Sequence, residues 1–274
     1  MALSPADLGQ VPRREAIAPS DVDVDLDRAP QRSPWYIEGL VVVWLAWAYD
    51  VIANLAPIRQ ATAVAHGRSL LHLETVVHLD PEVGLDHWLA AHHTLGLWVS
   101  TYYNNAHFIV TLTIVGWLWW RHPLHYRALR TSLVLVSVIG FIVFWLYPTA
   151  PPRMLPGRHI TDVVATTGAI GSWHSGQLAH HANELAAMPS LHMAWATWSG
   201  LAAWQVLRRQ YRWAPLVWAY PVATALAVLA TGNHYLVDVV AGVATLVVAM
   251  GGAVLLGRRV RRIPRHDYLV RWRV

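Results

Sequence analysis

The sequence predicts an all-α fold, an integral membrane bundle of six transmembrane helices with an extracytoplasmic interfacial helix. Three observations lead to this prediction: the composition, the spacing of long apolar segments and the distribution of arginine. Hydrophobic residues make up 55% of the 274 residues and charged residues 14%, and the mean hydropathy is +0.33. Such a composition is typical of a membrane protein rather than a soluble one.

Six apolar segments are long enough to cross a bilayer as helices. Between the first two, residues 58–93 mix leucine and valine with histidine, arginine and glutamate, which favours helices lying in the membrane interface. We expect the second of these interfacial helices to begin after Asp80 as N-cap, with Pro81 in its first turn. The six segments lie at residues 35–57, 95–120, 131–147, 189–207, 213–230 and 234–257.

The rest of the chain divides around this membrane catalytic domain, which we place at residues 34–257. Residues 1–33 are polar, carry the acidic alternation DVDVDLD and are expected to form a disordered cytoplasmic tail. Residues 148–188 are predicted to form an extracytoplasmic loop, and residues 258–274 a basic cytoplasmic tail. The RRVRR run that opens this tail is interpreted as a topology anchor that contacts anionic lipid.

The arginines indicate the orientation of the bundle. The chain has no lysine, so all 21 basic residues are arginine. With the N-terminus inside, 17 arginines lie on the cytoplasmic side, and the outer side holds only Arg59, Arg68, Arg153 and Arg158. This asymmetry follows the positive-inside rule and predicts a multi-pass plasma membrane protein with both termini in the cytoplasm. The fourth and sixth segments then begin on the outer face, where their backbone N–H groups favour an anion.

The composition also narrows the chemistry. The chain has no cysteine, which excludes a disulfide, a thiolate nucleophile and a cysteine-ligated zinc. Any phosphate clamp must use arginine, which binds bidentately. The pI is near 9.8, but the arginines flank apolar segments, so we expect a membrane surface and no nucleic acid as partner.

Two histidine motifs open the fourth and sixth segments. MPSLHMAWA places Ser190 and His192 in a first helical turn, and TGNHYLVDVVA places Asn233 as N-cap, His234 at the helix start and Asp238 one turn deeper. At helical pitch, His234 and Asp238 share one face. A carboxylate at membrane depth needs a partner, and His234 is the nearest candidate. The alternative interpretation of this pair is a buried structural hydrogen bond.

A third motif, YPTAPPRML at residues 147–155, follows the third segment on the outer face. Its three prolines stiffen the loop and would hold Arg153 in a fixed direction. Because few arginines lie outside, Arg153 is the best candidate for a phosphate clamp, and the alternative is an ordinary arginine at headgroup level. Tyr102, Tyr103 and His107, near the outer end of the second segment, either line the same pocket or pack beside it.

In this order, PTAPPR, PSLH and HYLVD resemble the motifs of the phosphatidic acid phosphatase type 2 superfamily. The chain is most similar to the branch that contains fungal inositol phosphorylceramide synthase and its bacterial relatives. PSLH matches the family motif Pro-Ser-Gly-His with Leu191 in place of glycine, and HYLVD supplies the histidine and aspartate of the next motif. The arginine of that motif is Val228 here, and the family's lysine has no counterpart in this lysine-free chain. These departures fit the synthase-like branch better than the soluble acid phosphatases.

The resemblance implies a membrane lipid phosphatase or phosphotransferase. Its substrate would be a lipid phosphate, diphosphate or phosphodiester at the outer leaflet, and water or an alcohol would be the acceptor. His234, oriented by Asp238, is the expected nucleophile that forms a phosphohistidine, and His192 is the expected general acid and base. Arg153 and Ser190 are expected to bind the phosphate. This scheme needs no metal and no other cofactor.

Two alternatives use these residues differently. In the first, His192, His234 and Asp238 ligate zinc in a metal-dependent membrane hydrolase. In the second, the intramembrane acids and histidines form a proton relay in a proton-coupled transporter. The polar residues gather at one face of the membrane instead of crossing it, which disfavours the transporter.

Overall fold

The computed structural model describes residues 32–55, 59–157, 159–171 and 184–262. In these ranges every regular element is helical, and the only isolated bridge joins Thr149 to Ala186 in parallel. The all-α class is therefore confirmed. The tails predicted at the two ends of the chain lie largely outside the described residues.

The described ranges contain nine α-helices. Short 3-10 helices at Pro152–Met154 and Ala214–Trp218 lie between them. The α-helices are α1 (Trp35–Leu55), α2 (Gln60–Val76), α3 (Pro81–Ala90), α4 (His93–Arg121), α5 (Pro123–Leu146), α6 (Val163–Thr167), α7 (Leu191–Leu207), α8 (Ala219–Ala230) and α9 (Leu236–Arg262).

Three of these helices are long and apolar enough to cross a membrane. The qualifying stretches are Trp35–Ile52 in α1, Pro123–Leu146 in α5 and Leu236–Gly257 in α9. They indicate a membrane protein, as the composition predicts. Within the described residues the other predicted segments do not qualify: α7 has 17 residues, Ala214–Ala230 is a shorter apolar helix, and α4 carries tyrosine, asparagine and histidine in its first half. The count of six spans stays a prediction.

The segment between α1 and α4 forms two helices, α2 and α3, which are joined by a tight turn. Asp80 lies at the N-cap of α3 and Pro81 at its first position, as predicted. The Asp80 side chain makes no capping bond, and instead accepts a hydrogen bond from the Thr75 hydroxyl at 3.3 Å. His78 has a φ of 56°, and the N–H of Leu79 donates to the Glu74 carbonyl at 2.8 Å. This tight turn ends α2, and α3 then packs against α8 and α4.

The core that supports the site lies between α5, α7 and α9. Trp198 of α7 is fully buried, and its indole N–H donates to the Leu129 carbonyl of α5 at 2.9 Å. Val136 of α5 and Leu246 of α9 belong to the same buried cluster. Close packing of these large side chains and the hydrogen bond from Trp198 hold the three helices together. Both α7 and α9 contribute to this core, and their N-terminal ends carry the two histidine motifs.

The last helix, α9, begins at Leu236, two residues later than the sequence analysis predicts. Gly232 has a φ of 65°, which glycine adopts without the penalty a side chain would bring. The N–H groups of Asn233 and His234 both point to the Val228 carbonyl, at 3.3 and 3.2 Å. Residues 231–235 therefore form a turn that closes α8 before α9 starts, and His234 is held by this turn.

Candidate active site

His234 lies in a buried position with one ring nitrogen committed to the protein. Its Nδ1 is 2.9 Å from the Ala187 carbonyl oxygen and 3.4 Å from Oδ2 of Asp238, and the residue is 4% exposed. A carbonyl only accepts hydrogen bonds, so Nδ1 must carry the hydrogen. In the neutral imidazole the lone pair is then on Nε2, the nitrogen that a nucleophilic histidine would use.

The Ala187 carbonyl is itself positioned by the proline-rich motif. Thr149 pairs with the 185–187 segment through both backbone groups: its N–H donates to the Leu185 carbonyl at 2.7 Å, and its carbonyl accepts from the Ala187 N–H at 3.1 Å. The orientation of the His234 ring thus depends on a loop far away in sequence.

Asp238 joins the two histidine motifs through its backbone and its side chain. Its carboxylate Oδ2 accepts from the Tyr235 N–H at 3.0 Å, and its backbone carbonyl accepts from the Ser190 N–H at 3.1 Å. The side chain is fully buried. We expected Asp238 to be the principal partner of His234, and the structure places the Ala187 carbonyl closer. Asp238 is the second, more distant partner.

His192 lies across from His234. The centroids of the two rings are 5.6 Å apart, and the ring planes are inclined at 63°. The His192 ring stacks on Tyr103 at 4.4 Å and meets the edge of His107 at 4.2 Å. Tyr103 and His107 therefore pack directly against His192, whereas the Tyr102 hydroxyl lies 2.8 Å from the Thr224 hydroxyl of α8.

Arg153 is engaged with acidic side chains. Its Nε donates to Asp162 Oδ2 at 3.0 Å, its Nη2 lies 3.9 Å from Glu184 Oε1, and its side chain is 6% exposed. Its backbone N–H donates to the Gly232 carbonyl at 3.0 Å, which joins the proline-rich motif to the turn that carries His234. The guanidinium also lies near enough to the Tyr103 hydroxyl to act on it electrostatically.

The first turns of α7 and α9 do not offer the same surroundings to an anion. Ser190 is the N-cap of α7, and its hydroxyl accepts from the Met193 N–H at 3.3 Å. At α9, the N–H of Val237 donates to Oε1 of Glu74 at 2.6 Å, and the N–H of Tyr235 is taken by Asp238. The predicted anion position at the start of α9 is therefore filled by carboxylates of the protein itself.

The comparison with protein families decides the membership of this chain. The family model described as the PAP2 superfamily matches residues 68–252, which is more than half of the chain and includes all three motifs. This protein belongs to the PAP2 superfamily. No curated protein matches it, and no solved structure does. The predicted superfamily is thus confirmed, and its synthase-like branch stays a prediction.

Membership in the PAP2 superfamily indicates a phosphatase-type activity on phosphate esters. The paired imidazoles of this PAP2 protein are arranged in a way that suits phosphoryl transfer: one ring has a fixed tautomer, and the second lies across from it. The described residues also form two surface grooves. One is lined by His92 to Leu95 with Trp98, and the other by residues of α7, α8 and α9. Neither lining includes His192 or His234.

The zinc alternative requires three ligands around one point. In the part of the chain that the structure describes, no group of three or more His, Asp or Glu side chains is arranged to hold a metal ion. Asp238 faces Nδ1 of His234, the nitrogen that carries the hydrogen, so the carboxylate lies on the wrong side of the ring to share a metal with Nε2.

Sequence reasoning missed a set of buried acids beneath the site of this PAP2 protein. Glu74, Glu82 and Asp86 are 1%, 0% and 0% exposed. Asp86 accepts from the Thr161 N–H at 2.8 Å, and burial raises its pKa. Two signals were available: Glu74 is the only acidic residue in the sequence of α2, and Glu82 and Asp86 are spaced four apart in α3, so they share a face.

Proposed function

We propose that this PAP2 protein is a membrane lipid phosphatase or phosphotransferase that works through a phosphohistidine on His234. The observation that carries the proposal is the geometry of the two imidazoles. Hydrogen bonding at Nδ1 leaves Nε2 of His234 as the nucleophile, and the His192 ring lies 5.6 Å away between centroids. A phosphorus atom between the rings would be reached by one imidazole on each side.

In the first step, the Nε2 lone pair of His234 attacks phosphorus, and the bond from phosphorus to the leaving oxygen breaks. His192, as an imidazolium, gives its proton to that oxygen. The His234 ring becomes cationic, because it keeps the hydrogen on Nδ1. The Ala187 carbonyl accepts a hydrogen bond from that N–H, and the Asp238 carboxylate faces it. Both groups therefore stabilise the positive charge.

In the second step, an acceptor O–H attacks the phosphohistidine. Neutral His192 takes the proton of the acceptor, the phosphorus–nitrogen bond breaks, and its electron pair returns to Nε2 of His234. Water as acceptor gives hydrolysis, and an alcohol gives transfer. The resemblance to the synthase-like branch favours transfer to an alcohol. Membership in the inositol phosphorylceramide synthase-like branch is therefore part of this proposal.

Arg153 and Ser190 are the proposed phosphate ligands. Arg153 is held beside the site by its backbone bond to Gly232 and its ion pair with Asp162. A bound phosphate would share the guanidinium with these acids, so the substrate competes for a side chain that is already oriented. Fixed donors of this kind stabilise the charge on the equatorial oxygens, which is most of what phosphoryl transfer requires.

An apolar groove of about 330 Å³ supports a lipid as the substrate. It is lined by Met193 and Thr197 of α7, by Trp218 and Pro221 before and within α8, and by Val243 of α9, among others. The lining does not include His192 or His234, so the groove would hold a hydrocarbon chain and not the phosphate. The arginine distribution supports an outer-leaflet site in the plasma membrane, with both termini in the cytoplasm.

Purified protein tests the proposal. We expect phosphate release or transfer from one of phosphatidic acid, polyprenyl phosphates or phosphatidylinositol with candidate alcohols. Labelled substrate should label wild-type protein covalently. His234→Ala should abolish both turnover and labelling while remaining folded, because the nucleophile is lost. His125→Ala is the matched control, since His125 is exposed at the start of α5.

The same assay separates the alternatives. Inhibition by vanadate with activity preserved in EDTA supports the phosphohistidine route, whereas loss in EDTA and recovery with zinc supports a metal hydrolase. Normal turnover by His234→Ala would remove His234 as nucleophile. Solute transport by sealed vesicles without phosphate release would overturn the enzyme proposal.

A further inference from the structure

The turn between α2 and α3 brings two glutamates together inside the protein. Glu74 lies in the last turn of α2 and Glu82 is the second residue of α3. Both are buried, at 1% and 0% exposure. Their carboxyl groups are close enough to hydrogen bond each other, which requires a proton on one of the two.

One oxygen of this pair holds the start of α9. Oε1 of Glu74 accepts from the Val237 N–H at 2.6 Å. Val237 is the second residue of α9, where helical N–H groups have no partner within the helix and favour negative charge. The bond joins α2 directly to the stretch between His234 and Asp238.

The other carboxyl oxygens of the pair have few donors in the described residues. Oε2 of Glu74 and both oxygens of Glu82 are buried and make no hydrogen bond of full geometry, although the backbone N–H of Glu82 lies near enough to its own carboxyl group to act against the rise of its pKa. Two buried carboxylates side by side would repel each other and lack hydration. A single proton between them satisfies one oxygen on each side, as in other close carboxyl pairs.

The surrounding groups increase the need for that proton. The negative charge of Asp238 raises the pKa of both glutamates, and that of Asp80 raises the pKa of Glu82. Glu74, Glu82 and Asp238 also act electrostatically on the Tyr235 hydroxyl. Among the described residues, the charged groups that act on the pair are Asp80 and Asp238, which are both acids. Burial, and next the carboxyl group of Glu82, raise the pKa of Glu74 to about 9. Burial raises the pKa of Glu82 as well.

Tight packing keeps α2 at this distance. A side chain at Gly67 would meet the Ala150 carbonyl and the Tyr235 hydroxyl, each at 2.6 Å. The Tyr235 hydroxyl donates to the same Ala150 carbonyl at 2.8 Å. The middle of α2 is therefore packed closely against Ala150 and Tyr235, the residue that follows His234.

We infer that Glu74 and Glu82 share one proton and together position the first turn of α9, and with it His234 and Asp238. Both are positioning residues, because the contacts described for them are with the protein and not with the reacting imidazoles. The effect on turnover rests on the proposed function, whereas the shared proton does not.

Three variants test the inference by kinetics. Glu74→Ala removes the acceptor for the Val237 N–H, and we expect kcat/KM to fall by up to about 100-fold, the cost of a small misplacement of catalytic groups. Glu74→Gln keeps an acceptor and adds N–H donors for Glu82, so it should retain most activity. Glu82→Gln replaces the shared proton with a permanent N–H donor.

The pH profile separates positioning by a proton from a merely structural role. Wild-type activity should fall as the pH rises through about 9, where the pair loses its proton, and Glu82→Gln should remove that loss. An unchanged alkaline limb in Glu82→Gln would overturn the shared proton. Equal loss of activity in folded Glu74→Ala and Glu74→Gln would overturn the positioning role.

Infrared spectroscopy tests the proton without any activity. The wild-type protein at neutral pH should display the band of a protonated carboxyl group, and Glu82→Gln should lose this band. Glu38→Gln is the control and should keep the band, because Glu38 forms an ion pair with Arg130. Absence of the band in wild type overturns the inference even if lipid phosphate is turned over. Its presence in a protein without phosphatase activity leaves the carboxyl pair standing and removes only the proposed function.

Discussion

The backbone N–H of Ser190 donates to the backbone carbonyl of Asp238 at 3.1 Å, so the two histidine motifs are hydrogen bonded to each other directly. Gly242, one turn after Asp238, lies under the Ser190 carbonyl. Close approach of the two backbones at this point brings the His192 and His234 rings within 5.6 Å. The spacing of the two rings therefore depends on a glycine that has no functional group of its own.

Gly242→Ala should impair both stability and activity. The added Cβ would collide with the Ser190 carbonyl oxygen, and backbone cannot move aside as a side chain can, so α7 and α9 must separate. We expect a loss of about 1–3 kcal/mol, the usual cost of overpacking, and a lower kcat. Gly251→Ala in the same helix is the matched control, since nothing lies within 4 Å of its Cβ position. Equal thermal stability of the two variants would contradict the close approach.

Arg153→Ala should lower kcat/KM by about 100-fold to 1,000-fold, the effect of removing one fixed donor to the reacting group. Arg153→Lys should recover little, because an ammonium cannot reproduce the planar fork that faces Asp162. Steady-state kinetics on the lipid substrate measure both effects. Arg68→Ala, at an exposed position of α2, should behave like wild type. If Arg68→Ala and Arg153→Ala were equally impaired, the defect would reflect outer-face charge and not a phosphate clamp.

Local spacing was enough to select residues that the structure brings together. The two histidine motifs, with an aspartate four residues after the second histidine, lie close to each other in the fold, whereas their catalytic roles stay a prediction. The same spacing could not reveal that the closest partner of His234 is the Ala187 carbonyl. Every residue has such a carbonyl, so its position follows only from the pairing of Thr149 with the 185–187 segment.

The buried acids show why the polarity of single residues did not predict which side chains of α2 are buried. In α2, Leu73 and Val76 are 51% and 60% exposed, whereas Glu74 between them is 1% exposed. A soluble helix would have the opposite arrangement. Where the surroundings are lipid, apolar side chains face outward and an acid turns inward to find partners. The helices α2 and α3 lie in the segment where interfacial helices were predicted, and their interfacial position stays a prediction. The burial of their glutamates could be seen only from the fold.

Tyr103 should act on His192 through its ring and not through its hydroxyl. The two rings are stacked at 4.4 Å with an angle of 23° between their planes. Tyr103→Phe should therefore keep kcat within a few-fold of wild type, whereas Tyr103→Ala should lose about 10-fold or more, because His192 would no longer be held in its proton-transfer position. Single-turnover kinetics distinguish this from weaker lipid binding. Equal kcat values for the two variants would contradict the stacking role.

Stability should decrease as the pH rises, because of Glu74 and Glu82. The folded protein raises the pKa of Glu74 from 4.5 to about 9, so over this window it holds a proton that the unfolded chain has released. That stabilisation is fully present below about pH 4.5 and is lost as the pH approaches 9. Thermal melts of wild type should show this decline relative to the double variant Glu74→Gln with Glu82→Gln, whose amides do not titrate. Parallel pH dependence of the two proteins would mean that the carboxyl pair carries no proton.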